Sequence, residues 1–150
     1  MASNYIIRRA VHSDVNCLIG LLEILFSIES DFTVEEFKQR SGLEMMLNDD
    51  TRRCIMVAEI NQQVVGMCTA QILVSTAEGG FVAVIEDLVV HKEYRGKGIG
   101  RGLLLSIESW AIAKGVKRLQ LLADRNNTAA LEFYKSLSWK STQLICLHKK

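Results

Sequence analysis

Val90-His91-Lys92-Glu93-Tyr94-Arg95-Gly96-Lys97-Gly98-Ile99-Gly100-Arg101-Gly102 decides how this chain is built. The apolar run ending at Leu88-Val89-Val90 enters it as a strand. Leu103, Leu104, Ile107, Trp110 and Ala111 leave it at helical spacing, so the stretch reads as strand, glycine-rich turn, helix. Such a turn presents unpaired backbone N–H groups at the positive end of a helix dipole. With Arg95, Lys97 and Arg101 beside it, the turn has the makings of a pyrophosphate cradle. Glycine matters here because a side chain would keep the phosphates away from the backbone. Two common phosphate loops fail on spacing. No G-x-x-x-x-G-K-[ST] occurs, and G-x-G-x-x-G counted from Gly96 or Gly98 meets Arg101 or Leu103 where its third glycine belongs.

The rest of the chain sets the frame. Its 150 residues suit a single domain, 1–150, and 49% hydrophobic with 23% charged residues is the make-up of an ordinary globular protein. Cys17, Cys54, Cys68 and Cys146 form no CxxC pair, and His12, His91 and His148 have no ligand spacing, so no metal site and no disulfide framework are expected. No apolar run reaches a membrane-spanning length and the first residues do not resemble a secretory signal; the expectation is a cytoplasmic, reduced protein with no membrane partner. The net charge of +1 is uneven, since residues 91–150 hold 12 basic and 4 acidic side chains. A basic last third points to a local polyanion such as a phosphorylated cofactor, and not to nucleic acid along a whole face.

Outward from the turn, Tyr5–Arg9 reads as a strand. Ser13 can cap a helix over Asp14–Ser27, and Thr33-Val34-Glu35-Glu36 fits a capping box opening a second helix that runs to Leu47. Arg53–Ile60 and Val64–Ser75 form a hairpin, and Phe81–Val90 is a further strand. Beyond the turn come a strand at Arg118–Ala123, a short helix at Thr128–Leu137 and a last strand within Trp139–His148. This order predicts an α/β (α+β) fold with a mixed sheet and helices on both faces.

Arg95-Gly96-Lys97-Gly98-Ile99-Gly100 has the pattern R-x-x-G-x-G, and this resembles the acetyl-CoA signature of the GNAT superfamily of N-acetyltransferases. Asn127-Thr128-Ala129-Ala130-Leu131-Glu132-Phe133-Tyr134 resembles the same superfamily's later motif, N-x-x-A-x-x-F-Y. The glycine-aromatic pair usual after it is replaced by Ser138-Trp139, so the turn there is expected to differ or be slightly strained. The resemblance covers essentially the whole chain. It implies a mostly antiparallel central sheet of about six to seven strands flanked by about four helices.

It also implies acetyl transfer from acetyl-CoA to an amine by direct attack in a ternary complex, with no metal. Leu88, Val89, Val90, Arg95, Gly96, Lys97, Gly98, Ile99, Gly100, Arg101, Asn127 and Tyr134 are assigned to acetyl-CoA on this basis. The N–H groups of Leu88 and Val90 are candidate oxyanion donors. A lysine-type amine, with a pKa of about 10.4, must lose a proton before it attacks. Glu86-Asp87 looks like the acidic pair of polyamine-type members. Adjacent strand residues point to opposite faces unless a bulge intervenes, and Glu86, in phase with Leu88 and Val90, is read as the base. Tyr134 looks like the tyrosine that protonates the departing CoA thiolate, although a phenol of pKa about 10 facing a thiolate of about 8.5 favours hydrogen bonding over full proton transfer.

The acceptor pocket is expected between the first two helices and the later strands, where Glu29, Asp31, Glu35, Glu36, Glu44, Asp49 and Asp50 cluster. Acidic walls favour a small cationic amine. A protein lysine or N-terminal acetyltransferase and a non-catalytic acetyl-CoA sensor remain open, and the resemblance allows a homodimer.

Overall fold

The structure, a computed structural model, describes residues 4–29 and 31–150. Its strands are β1 (Ile6–Arg9), β2 (Arg53–Ile60), β3 (Gln63–Ser75), β4 (Gly80–Val90) and β5 (Arg118–Leu121). Its α-helices are α1 (Val15–Ile28), α2 (Glu36–Leu47), α3 (Ile99–Ala113) and α4 (Thr128–Ser136). The chain packs as two compact units, one ending at Gln120 and one spanning Leu121–Lys150. Among the described residues no helix is long and apolar enough to cross a membrane.

The five strands lie in the order β1-β2-β3-β4-β5, and the pairs from β1 to β4 are antiparallel. The mixed α/β architecture with four helices is therefore as expected. The sheet has five strands instead of six or seven. The missing one is the strand expected within Trp139–His148, which forms no ladder. Leu144 and Leu147 there are 88% and 83% exposed. Alternating apolar residues make a strand only where a neighbour accepts their hydrogen bonds and a layer covers one face.

Side-chain alternation divides the sheet between two layers of helix. Ile55, Val57, Met67 and Val89 join Val15, Leu18, Leu22 and Leu43 in one core beneath α1 and α2. The opposite face carries α3, where Leu103 approaches so closely that a Cβ at Gly66 would lie 3.1 Å from its Cδ1. Between β2 and β3, Asn61 and Gln62 both take positive φ (49° and 65°), as a two-residue hairpin turn with the right twist requires.

Two helix starts differ from the sequence reading. The cap of α1 is Asp14, not Ser13, and its carboxylate is engaged elsewhere. Arg8 Nη1 and Nη2 donate to it at 2.8 and 3.0 Å and the Val11 N–H at 2.8 Å. The Arg8 guanidinium holds the Asp14 carboxyl below the usual carboxylate range, and so ties β1 to the entry of α1. Thr33 caps nothing. Helix α2 begins after Glu35, whose N–H donates to Gln39 Oε1 at 2.8 Å, so the side chain one turn in closes the helix end.

Within the second unit, Asn127 Oδ1 accepts from the Ala130 N–H at 3.2 Å and caps α4. Helix α4 ends in a Schellman motif. Trp139 N–H donates to Tyr134 O and Ser138 N–H to Lys135 O, both at 3.0 Å, and the rings of Tyr134 and Trp139 stand 6.2 Å apart. Ser138 sits at the left-handed position of this motif with φ +72°, where glycine is usual. Ser138→Gly is expected to raise stability by about 0.5–1 kcal/mol, the relief of left-handed strain exceeding glycine's entropy cost. Thermal unfolding should then move up by about 1–4 °C; an unchanged or lower Tm would mean the serine is unstrained.

Candidate active site

The phosphate-binding turn forms as its glycines predict. After β4, the His91 N–H donates to Val65 O at 2.8 Å, and a short 3-10 turn (Lys92–Tyr94) follows. Arg95 Nε reaches back to Val90 O at 2.9 Å. Gly96 (φ +76°) and Gly98 (φ +83°) are left-handed, and nothing lies within 4 Å of where a Cβ would stand on either. Backbone conformation, and not crowding, is what demands glycine there. Helix α3 starts directly after Gly98, and its first backbone bond runs from Gly102 N–H to Gly98 O at 3.0 Å. The N–H groups of Ile99, Gly100 and Arg101 thus have no acceptor inside the helix. Exposed Arg95, Lys97 and Arg101 flank them, and the Lys97 ammonium lies 5.4 Å from the centre of the Tyr94 ring.

Sequence reasoning missed what holds this turn in place. The Tyr5 hydroxyl donates to Gly98 O at 3.2 Å, and a Cβ at Gly102 would lie only 2.9 Å from that hydroxyl. A side chain at Gly102 would push the Tyr5 hydroxyl aside and break this bond. A tyrosine 93 residues upstream leaves no local signal for this.

Upstream of the turn, the β3–β4 ladder slips. Thr69 pairs with Glu86 but Met67 pairs with Val89, so two residues of β4, Asp87 and Leu88, oppose Cys68 alone. Asp87 takes φ +53° at this bulge. The bulge breaks the alternation on which the choice between the two carboxylates was based. Glu86 is in phase with Val89, not with Val90, and Asp87 turns onto the same side as Glu86. Both line a cavity of about 360 Å³ between the α1–α2 layer and the sheet. Leu22 and Phe26 of α1 and Leu43 and Met46 of α2 form its apolar wall.

The two carboxylates differ. Glu86 is exposed, whereas Asp87 is half-buried. Burial, with a smaller push from the Glu86 charge, raises the Asp87 carboxyl to about 6; a hydrogen bond from Thr69 opposes the rise. Thr69 Oγ1 stands 3.2 Å from Asp87 Oδ2 and 3.1 Å from the Glu86 carbonyl, and its single proton can serve either acceptor.

The acidic side chains expected to wall the pocket do not. None of Glu29, Asp31, Glu35, Glu36, Glu44, Asp49 and Asp50 lines this cavity. Helix α2 turns Gln39, Gly42, Leu43 and Met46 inward, while Glu36 and Glu44 lie on its outer side along a separate, shallower depression of about 460 Å³. The cysteines are not poised for chemistry. Cys54 and Cys68 are buried, which pushes the Cys54 thiol to about 11 and Cys68 higher still, and Cys17 and Cys146 are exposed. Tyr134 and Asn127 lie on the second unit, in α4 and at its cap.

A strand with a carboxylate pair in a cavity, running into a glycine turn at a helix N-terminus, is the framework of an acyl-CoA-dependent transferase. The family model of the acetyltransferase (GNAT) family matches residues 21–139, and this chain belongs to that family. It is 30% identical over 108 residues to an acetyltransferase of Pectobacterium atrosepticum, the match covering 72% of each chain. An aminoglycoside acetyltransferase from an uncultured soil metagenomic sample, solved in complex with trehalose, superposes with a TM-score of 0.79 at 25% identity, over 97% of this chain and 95% of that one. An aminoglycoside N-acetyltransferase solved in complex with CoA superposes with a TM-score of 0.85 at 18% identity, over 100% and 97%. The chain is thus an enzyme of acetyl transfer.

Proposed function

We propose that this chain moves an acetyl group from acetyl-CoA to the primary amine of a small acceptor held in the 360 Å³ cavity, by direct attack in a ternary complex. The observation that carries this reading is the β4 bulge. It sets two carboxylates in one cavity, one short strand segment before a turn fitted for pyrophosphate. The GNAT family and the aminoglycoside acetyltransferases of the same fold support a small-molecule amine acceptor.

The acceptor arrives as an ammonium. Glu86, on the open side of the cavity, attracts it, and Asp87, ionised above pH 6, takes its proton directly or through a water. Full transfer before attack is uphill by about 4 pK units, roughly 6 kcal/mol. An ammonium has no lone pair, so this first proton leaves before attack and only the small neutral fraction reacts; once the bond to the acetyl carbon forms, the nitrogen becomes far more acidic and releases its second proton to solvent. The main-chain N–H groups of Leu88 and Val90 steady the oxyanion, and Gly96–Arg101 hold the pyrophosphate. As the tetrahedral centre collapses, the C–S bond breaks and the CoA thiolate leaves. Tyr134 serves it as a hydrogen-bond donor: outright proton transfer from phenol to thiolate is uphill by about 2 kcal/mol.

The test is acetyl-CoA binding by calorimetry, then thiol release against polyamines, aminoglycosides, amino acids and a lysine peptide. Binding with turnover on a small amine is the expected result, and Tyr134→Phe should lower kcat about tenfold with little change in acetyl-CoA affinity. Absence of acetyl-CoA binding would overturn the assignment of the turn. Turnover on the peptide alone would move the acceptor to a protein.

A further inference from the structure

The acceptor cavity holds a cation that the transfer chemistry does not use. Arg53, the first residue of β2, lines the cavity and is half-buried. Its Nη1 donates to Met45 O at 3.2 Å, which anchors the side chain, and among the described residues it forms no ion pair. Asp49, the nearby acid, accepts the N–H groups of Thr51 and Arg52 on its Oδ1 at 3.0 and 3.2 Å; it feels the charge of Arg53 but forms no ion pair with it. A guanidinium has five donors in a planar fork suited to carboxylate and phosphate oxygens, and those that Arg53 does not give to Met45 O are available to an anion in the cavity. Gln71, paired with Arg53 across the sheet, also lines the cavity and adds an amide beside it.

The position fits one molecule reaching both ends. Arg53 pairs with Gln71, whereas Glu86 pairs with Thr69, two residues along β3 and one strand further over. Strand spacing and rise put the Cα atoms of Arg53 and Glu86 about 12 Å apart. Side chains extending from both ends shorten that to the length of a small metabolite. Resting on the reading of this cavity as the acceptor site, we propose that the acceptor is an amino acid-type zwitterion whose carboxylate, phosphonate or phosphate is bound by Arg53 while its ammonium faces Glu86 and Asp87. A polycation would instead bring a second positive charge against Arg53, which disfavours polyamines and aminoglycosides.

The test uses acceptors matched except for the anion: lysine against cadaverine, γ-aminobutyrate against butylamine, aminoethylphosphonate against ethylamine. At saturating acetyl-CoA, at least one acid is expected to exceed its partner tenfold or more in kcat/KM. Arg53→Gln should remove that preference through KM, leaving kcat, the acetyl-CoA KM and the rates with butylamine and ethylamine within about twofold, while cadaverine, a dication relieved of the Arg53 charge, should gain. Arg53→Lys, which keeps charge but not the fork, should restore part of it and guards against a folding defect. Equal or reversed preference in every pair, or a preference that survives Arg53→Gln, overturns the proposal. The same pairs are also titrated by calorimetry without turnover, where the acid must bind at least tenfold tighter. A failure of acetyl-CoA binding would overturn the transferase reading, while the anion site would still be judged by this titration.

Discussion

Asp87→Asn is expected to cut turnover by about 100- to 10,000-fold, the range a positioned proton acceptor supplies. In the wild-type enzyme kcat should rise with pH through about 6, as the Asp87 carboxyl ionises, and in the variant that step should be gone. Asparagine tolerates the left-handed backbone at φ +53°, so the bulge survives the change. The same substitution has an opposite effect on stability. Because burial raises the Asp87 carboxyl in the fold above its unfolded value of about 3.8, ionising it costs more folded than unfolded. The cost is absent below pH 4, grows between pH 4 and 6, and is complete above pH 6. Asp87→Asn should therefore unfold at a higher temperature than wild type at pH 7.5, and the two should converge near pH 4. Melting curves at both pH values, with pH–rate profiles beside Glu86→Gln, check both effects. If Glu86→Gln abolished the step at pH 6 while Asp87→Asn kept it, Glu86 would be the base.

Gly98→Val is the second change of large effect. A valine forced to φ +83° costs about 1–3 kcal/mol of strain, and the turn can relax only by moving the first N–H groups of α3. Acetyl-CoA affinity should fall by about 10- to 100-fold by calorimetry. Gly79, at φ +67° and also with open space around it, lies in the β3–β4 connection and supplies the control. Gly79→Val carries similar strain and should lower Tm without weakening acetyl-CoA. If both variants bound acetyl-CoA as wild type does, the turn would not be the cradle.

Local chemistry was legible wherever it is written locally. The glycines between Arg95 and Gly102 specify a turn on a helix N-terminus because few other residues adopt those φ values, and the structure has that turn. Apolar periodicity placed α1, α3 and the β2–β3 hairpin within a few residues. Helix starts were less readable. Ser13 and Thr33 are good caps in isolation, yet Asp14 and Glu35 hold those positions, one because Arg8 draws its carboxylate toward β1 and one because Gln39 closes the turn. Serine at position 138 announced strain, and the left-handed φ there matches.

The sequence by itself determined a mixed α/β order of elements with a backbone cradle ahead of α3, because glycine conformation and helical periodicity are properties of neighbouring residues, and its two motifs carried the resemblance to the GNAT family. Only the tertiary structure decided which carboxylates share the cavity and what stands opposite them. A one-residue slip between β3 and β4 reverses side-chain direction, and nothing in Glu86-Asp87 announces it, since the bulge belongs to the pairing of two strands. The Arg53 guanidinium faces the same cavity for a similar reason. Its place follows from β2 lying two strands from β4, a relation set by the order of the sheet and not by the residues beside it.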